Sequence, residues 1–302
     1  MSIHYKKGLF IALFVLLGVC LSAFAQDFDK IQIQTVKVTE SVYMLAGGGG
    51  GNIGVCVGQD GVLLVDSQFA QLMEKIKAAV TKISSAPIRL VCNTNWHYDH
   101  VSGNEVLANS GALIIAHEKT RERMAEEQNF PEFGQKIPPF PEPALPVVCF
   151  NKALTLHFNG EEIQVTHIPR AHSDADLVFF FRKANVIHTG DICFSKVYPF
   201  IDVTHGGSVD GVLEAVDKIW GMIDANTKVI PGHGPLTDRE GLKAYRDMLA
   251  AVRERIASLI KEGKTLEQVL AAKPTADFDK TMLPGVPAET FVTVVYNDLA
   301  KR

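Results

Sequence analysis

The stretch Asn93–Asn104, N-T-N-W-H-Y-D-H-V-S-G-N, limits what this chain can become more than any other. It follows the apolar run Ile88–Cys92 and places His97, Asp99 and His100 within four residues. Two imidazoles and a carboxylate this close together, bounded by turn formers, are hard to explain by packing. They are the nitrogen and oxygen donors that divalent metals take, zinc above all. The apolar run reads as a buried strand, so these donors sit where a strand leaves its sheet. The rest of the fold must bring the missing ligands to the same place.

Residues 1–25 are expected to be an export leader rather than part of that fold. Lys6 and Lys7 precede an apolar run from Gly8 to Ala25, and Ala23-Phe24-Ala25 is a small-residue cleavage site. The run is long enough to remain as an anchor, but its small-residue exit favours cleavage before Gln26. A lipid-bearing Cys20 fits less well, because Val19 is not small. Residues 26–302 are then a single domain, periplasmic or secreted, with no other segment apolar enough for stable membrane insertion. Loss of two lysines and no acid takes the net charge from −4 to −6. A mildly acidic chain without a basic run does not suit nucleic acid or an anionic membrane, which leaves a small molecule as the expected partner. Cys56, Cys92, Cys149 and Cys193 stand singly in apolar runs without metal-binding spacing. Buried free thiols are expected, although export would permit disulfides. The sequence carries no signal for oligomeric state.

Along the chain, residues 31–45 alternate like a strand, and Gly47–Gly51 is an unbroken glycine run. No Gly-Lys-Ser/Thr follows it and a strand comes next, so it reads as a flexible hairpin tip rather than a phosphate loop. Strands are expected at Ile53–Val57, Gly61–Val65, Ile88–Cys92 and Ala112–Ala116, with helices at Phe69–Ser84, Glu105–Ser110 and Glu118–Gln128. Six prolines between Asn129 and Pro146 exclude regular structure there and predict a surface loop, either a pocket wall or a plain connector. A second block follows, with strands at Leu154–Phe158, Ile163–Val165, Leu177–Phe181, Val186–His188 and Lys228–Pro231 and a hairpin signal at Asn159-Gly160. Helices are expected at Val209–Ile223, Glu240–Lys261, Leu266–Ala272 and Glu289–Lys301. Alternating strands and helices give an α/β (α+β) class, and the two halves suggest a loose duplication.

Of the ten histidines, His117, His157, His167 and His188 lie in or beside strand-like runs, where packing explains them. His205, in a polar turn, could line a pocket. His172 and His233 differ because each follows a strand among turn residues, and Asp191 in H-T-G-D has the same placement. Strands that each release a donor at their C-terminal ends would converge on one sheet edge, where open α/β sheets build their sites.

With these residues in order, the chain resembles the metallo-β-lactamase superfamily, whose signature is H-x-H-x-D-H followed by a distant His, an Asp or Cys, and a final His. Here N-W-H-Y-D-H occupies 95–100, followed by His172, Asp191 and His233. The Asp66 strand end, the G-N after the first motif and P-G-H-G fit too, so the resemblance spans most of residues 35–260. It implies a four-layer αββα sandwich with a metal site at one edge. His97 and His172 would serve a first metal position, Asp99, His100 and His233 a second, and Asp191 would bridge. Asn95 departs from the pattern and would be a weak ligand at most. One tightly bound Zn2+ is therefore expected, with a second held more weakly if at all.

The implied chemistry is hydrolysis of an amide or ester by metal-activated water. Asp99 would orient or deprotonate the water, and His97 and His172 would assist. Export and Asn95 favour a β-lactamase-like hydrolase, whereas Asp191 looks more like lactonases and other ester or thioester hydrolases of the fold. Lys196, Tyr198 and Trp96 are candidate substrate contacts, with Ser195, Tyr98 and Phe200 beside them. A non-catalytic metal-binding protein is the contrasting expectation. A redox member of the superfamily would need a flavin partner that the chain lacks.

Overall fold

Along Gly61–Val65, Val62 and Leu64 point to one side and Leu63 and Val65 to the other, and all four are fully buried. A strand apolar on both faces must be covered on both. Leu177–Phe181 repeats the pattern, with Phe179 and Phe181 facing one way and Val178 and Phe180 the other. Two such runs make the centres of two sheets stacked face to face.

The computed structural model describes residues 27–131 and 134–301. The leader expected over residues 1–25 lies outside them. The first half runs β1 (Gln34–Lys37), β2 (Val42–Ala46), β3 (Ile53–Gly58), β4 (Gly61–Val65), α1 (Met73–Ile83), β5 (Ile88–Cys92), α2 (Tyr98–Val101), α3 (Asn104–Asn109), β6 (Leu113–His117) and α4 (Glu118–Met124). Then come β7 (Gln128–Phe130), β8 (Gln135–Ile137) and β9 (Val148–Phe150). The second half runs β10 (Ala153–Phe158), β11 (Glu161–His167), β12 (Leu177–Phe181), β13 (Val186–His188), α5 (Val209–Met222), β14 (Lys228–Ile230), β15 (Thr237–Asp238), α6 (Arg239–Lys261), α7 (Leu266–Ala271) and α8 (Ala288–Ala300).

One sheet has the order β1-β2-β3-β4-β5-β6-β9 and the other β10-β11-β12-β13-β14-β15. Met44, Leu63, Val65 and Cys92 meet Val165, Leu177, Phe179 and Phe181 between them. Ile76 and Val80 of α1 cover the far side of the first sheet. Val212 and Ile219 of α5, with Leu249 of α6, cover the far side of the second. The result is the αββα sandwich. Each sheet passes from an antiparallel meander into a parallel pairing, β4 with β5 and β13 with β14. The C-terminal ends of β4 and β5 therefore share one edge, as do those of β11, β13 and β14. Asn52, which opens β3, joins the two edges: its side-chain amide donates to the carbonyls of Pro231 (3.0 Å) and Gly234 (2.8 Å). At the opposite edge, Asn159 and Gly160 take φ of 56° and 72° in the β10–β11 turn, as a type I′ hairpin requires.

Four segments differ from expectation. Residues 31–45 form two strands, because Thr39 Oγ1 accepts from Val42 N (3.1 Å) and turns the chain. The glycine run does link β2 to β3, but it is held rather than loose: Gln68 Nε2 donates to the carbonyls of Gly47 and Gly51. The helix expected to reach Gln128 ends at Met124, since the Gln128 amide binds the Arg123 carbonyl at 2.8 Å and the chain enters β7. The proline-rich segment does contain regular structure. Strands β7 and β8 pair antiparallel, with Pro131 in the turn between them and Pro138 just beyond. The prolines flank the ribbon instead of interrupting its ladder. Cys56, Cys92 and Cys193 are buried free thiols and Cys149 is half-buried. Among the described residues no helix is long and apolar enough to cross a membrane.

Candidate metal centre

Strand β4 delivers Asp66 in a left-handed conformation, φ 70°, that a non-glycine residue holds only when its surroundings demand it. Here the demand is visible. The fully buried carboxylate accepts from Thr94 N (2.7 Å), Thr94 Oγ1 (2.7 Å) and His100 Nδ1 (2.8 Å). Strand β5 ends in Asn93-Thr94-Asn95, and the chain then turns through His97 into the single helical turn α2. That turn separates the donors: His97 faces one way, Asp99 and His100 the other. Gly51 packs against the His100 ring so closely that a Cβ there would lie 2.3 Å from Cε1. Only glycine fits this place in the run.

From the second sheet come His172 after β11, Asp191 after β13 and His233 after β14. The ligand atoms of His97, His172 and Asp191 lie within 4.8 Å of one another, and so do those of Asp99, His100 and His233. Asp191 stands between the groups, with Oδ2 at 3.0 Å from His100 Nε2 and 3.6 Å from His172 Nε2, and Oδ1 at 3.4 Å from His233 Nε2. His233 Nε2 is 3.2 Å from Asp99 Oδ2. The six residues singled out in the sequence thus form one cluster.

Three of the four imidazoles have a carboxylate on the nitrogen that faces away from the cluster. Asp66 holds His100 Nδ1, Asp176 holds His172 Nδ1 at 3.1 Å, and Asp202 holds His97 Nε2 at 2.9 Å. Such partners fix tautomer and ring angle and leave the inner nitrogen as a donor to a metal. Three inner atoms, His100 Nε2, His172 Nε2 and Asp191 Oδ1, are buried and make no well-directed hydrogen bond, although His100 Nε2 lies 3.0 Å from Asp191 Oδ2. Buried polar atoms are normally satisfied, so three orphans facing one another fit a cation between them. The electrostatics agree. Burial alone would raise the Asp99 carboxyl, yet His100 and His233 hold it down at about 2. Burial would likewise lower His172, but Asp191 and Asp176 lift it to about 9. His100 is raised well above its ordinary value against the same burial, chiefly by Asp191, Asp99 and Asp66.

Asn95 is committed elsewhere. Its Oδ1 accepts from His97 N (2.8 Å) and its Nδ2 donates to Asp191 Oδ2 (3.2 Å). A backbone N–H can only donate and a carboxylate only accept, so the amide orientation is fixed. The carbonyl oxygen considered as a weak ligand is turned away from the metal-facing atoms.

A cavity of about 480 Å3 opens beside the cluster, with Tyr98, Asp99, His172, Asp191 and His233 on one side. Phe130 and Ile137 from the β7–β8 ribbon, Phe194, Val197, Phe200 and Val286 form the other walls. No Lys or Arg lines it among the described residues. The proline-rich segment is therefore a pocket wall. Three expected substrate contacts lie elsewhere. Lys196 is exposed on the far side of the Phe194–Val197 wall. Tyr198 is buried, with its hydroxyl on Asp279 Oδ1 (2.7 Å) and its ring stacked on Phe291. Trp96 packs behind His97, between Phe130 and His205. His205 is bonded to Asp202 and lies outside the cavity lining. His188 is a packing residue, its Nε2 on the Asn52 carbonyl and its basicity lowered by burial to about 4. Asp176 and Asp202 were not singled out as site residues. Asp176, four residues after His172, carries a spacing signal; Asp202 carries none.

The profile of the metallo-beta-lactamase superfamily matches residues 46–233. An uncharacterized protein of Mycobacterium tuberculosis is 25% identical over 190 residues, 60% of this chain and 83% of that protein. Among solved structures, a metallo-beta-lactamase from Pontibacter korlensis superposes with a TM-score of 0.59 at 16% identity, covering 72% of this chain and 99% of that one. A stereoselective inverting sec-alkylsulfatase from Pseudomonas sp. superposes at 0.62 with 16% identity, covering 88% of this chain but half of the sulfatase. At these identities the superpositions speak to the fold alone.

Proposed function

Since the chain belongs to the metallo-β-lactamase superfamily, we propose that it is a metal-dependent hydrolase of uncharged apolar esters or lactones. Zinc is the expected metal. Asp99, His100 and His233 would hold it tightly with Asp191, a mixed set of two imidazoles and two carboxylates. His97 and His172 would share Asp191 at a weaker position, since Asn95 adds no donor there. A metal so held supplies Lewis acidity and a water of lowered pKa.

The chain's own residues do the rest. Asp99, its side chain still one-quarter exposed, borders the cavity, and the carboxylate oxygen not used on the metal would take the proton of the attacking water. Phe130, Ile137, Phe200 and Val286 exclude bulk water and hold an apolar acyl group with its carbonyl at the cluster. His97 and His172, fixed from behind by Asp202 and Asp176, face the same side and are placed to steady charge on the carbonyl oxygen.

The observation that carries this reading is a donor cluster with buried orphan atoms beside an apolar cavity lined by no Lys or Arg among the described residues. β-Lactam antibiotics carry a carboxylate that a binding site would pair with Lys or Arg. Its absence from the lining moves the preference from a β-lactamase towards the ester and lactone hydrolases. The apolar run behind Lys6 and Lys7 supports action in the periplasm or outside the cell. Aryl ester, lactone and chromogenic cephalosporin should be assayed side by side, with and without chelator. Chelator-sensitive turnover of ester or lactone above cephalosporin is the expected result. Preference for the cephalosporin would reverse the substrate assignment, and bound zinc with no turnover of any would favour a non-catalytic role.

A further inference from the structure

A second cavity, about 570 Å3, lies behind the wall of the first and shares Phe194 and Val197 with it. Its remaining surface is largely apolar, with Tyr245 and Met248 from α6, Phe278 and Met282. The volume is within the range that small-molecule sites occupy. Thr237, Thr281 and the buried, unpartnered Tyr245 hydroxyl also belong to the lining, and two further polar residues, Ser195 and Lys196, lie between Phe194 and Val197 of the shared wall. Ser195 is buried, and its hydroxyl has no hydrogen-bond partner among the described residues. Lys196 is exposed and its ammonium makes no ion pair among them. The Lys196 backbone sits at φ 54°, a left-handed conformation disfavoured for a residue with a Cβ. The Leu283 N–H to Lys196 carbonyl bond, 2.7 Å, ties this turn to the segment that carries Met282. Lys196 thus lines an apolar cavity with no ion pair of its own among the described residues, which leaves its charge available to an anionic head.

The wall is one residue thick at Phe194. The Phe194 ring stacks on His233 with centroids 4.8 Å apart and planes 15° from parallel. Ser195 N donates to the His233 carbonyl at 2.9 Å. Whatever fills the second cavity therefore presses on a residue in contact with the metal cluster.

We propose that the second cavity binds an amphipathic monocarboxylate and that its occupant steadies the metal centre through Phe194 and His233. The chain would lie among Val197, Met248 and Phe278, and the carboxylate would meet the Lys196 ammonium and the Ser195 hydroxyl. One cation and one hydroxyl suit a single monovalent head. The binding half of the proposal is independent of the substrate reading. The coupling half rests only on the cluster holding a metal.

The test is calorimetric titration of the zinc-loaded protein with sodium octanoate, with acetate as a head-only control for direct ligation of the metal. Octanoate is expected to bind at one site, at least about tenfold more weakly to Lys196→Glu and to Ala244→Trp, which fills the exposed mouth on α6. Ile137→Ala, which alters only the catalytic cavity, should leave that affinity unchanged. Octanoate should also slow the stripping of zinc by a chelator in the wild type and fail to do so in Phe194→Leu, although Phe194→Leu still binds it. Equal affinity in wild type, Lys196→Glu and Ala244→Trp would overturn the site. Unchanged zinc release under saturating octanoate would overturn the coupling. Both readouts stand whether or not the protein hydrolyses any ester.

Discussion

The two donor groups of the cluster have the same kinds of ligand and different surroundings. Asp99 and His233 are 25% and 18% exposed and border the cavity, whereas His97, His172 and Asp191 are all buried. His100 is held from behind by Asp66, itself gripped by Thr94 through both backbone and hydroxyl. His97 is held by Asp202, which also serves His205. The decisive difference is Asn95. At the place where the family carries a further histidine, an amide stands instead, adding no imidazole to the buried group and donating to Asp191 Oδ2, the oxygen that lies between His100 and His172. On the proposed reading, the group of Asp99, His100 and His233 with Asp191 would make a complete position, and the group of His97 and His172 would be one donor short. Ligand count and outward access, more than the presence of histidines, separate a tight site from a weak one.

Removing a donor from the complete position should have the largest effect. His233→Ala is expected to abolish chelator-sensitive hydrolysis and to lower zinc affinity by at least about a hundredfold, measured by competition with a chromogenic chelator. His172→Ala should leave one zinc bound per chain while cutting turnover. Equal loss of metal in both variants would erase the distinction between the positions. Asp66→Asn comes next. It keeps the volume but weakens the hold on His100 Nδ1, and an outer partner of this kind contributes about 10–100-fold in affinity. Asp202→Asn, acting on the weaker position, should leave the tight zinc in place. Asn95→His works in the opposite direction, adding a donor and removing the amide bond to Asp191. Metal analysis is expected to rise from one tightly held zinc per chain to two, and two in the unaltered protein would show the positions to be equivalent.

The strands and helices were legible because the central strands are apolar on both faces and the helices on one, a pattern that depends only on neighbours in sequence; the four-layer sandwich followed only from the resemblance to the superfamily. Leu177–Phe181 and Val186–His188 fall where the short unbroken apolar runs put them. The donors were legible for a related reason, since each follows a strand and stands among turn residues that packing does not explain. Segments shaped by distant contacts were not. The ribbon of β7 and β8 forms within proline-rich sequence, and Phe130 of that ribbon packs on Trp96 and His97. Asn52 reads as the residue after a glycine run, yet it joins the two sheet edges. Asp202 reads as an ordinary loop acid, and nothing in its neighbourhood shows that it will meet His97 from 105 residues away. Lys196 failed for the converse reason: its position after Asp191 is suggestive, but the turn sends it to the far side of Phe194 and Val197.

The smallest effect concerns the cluster without metal, where protons stand in for the cation. His172 is lifted to about 9 in the folded protein from an ordinary 6.5, so its contribution to stability is fully present below 6.5 and is lost as pH rises through 9. Asp99 is depressed to about 2 from 3.8, so its contribution is present above 3.8 and is lost as pH falls through 2. The metal-free protein should therefore be steadiest between about pH 4 and 6.5 as far as these two groups decide. Above that window the imidazoles lose the protons that balance Asp191 and its neighbours, and zinc can replace them because its ligands must be deprotonated. The gap in melting temperature between zinc-loaded and chelated protein is expected to widen from pH 6.5 to 9, by on the order of 5 °C for a chain of this size. Scanning calorimetry of both forms across that range measures it. A gap that stays constant would mean that His172 carries no proton to lose across that range, and that zinc displaces none there.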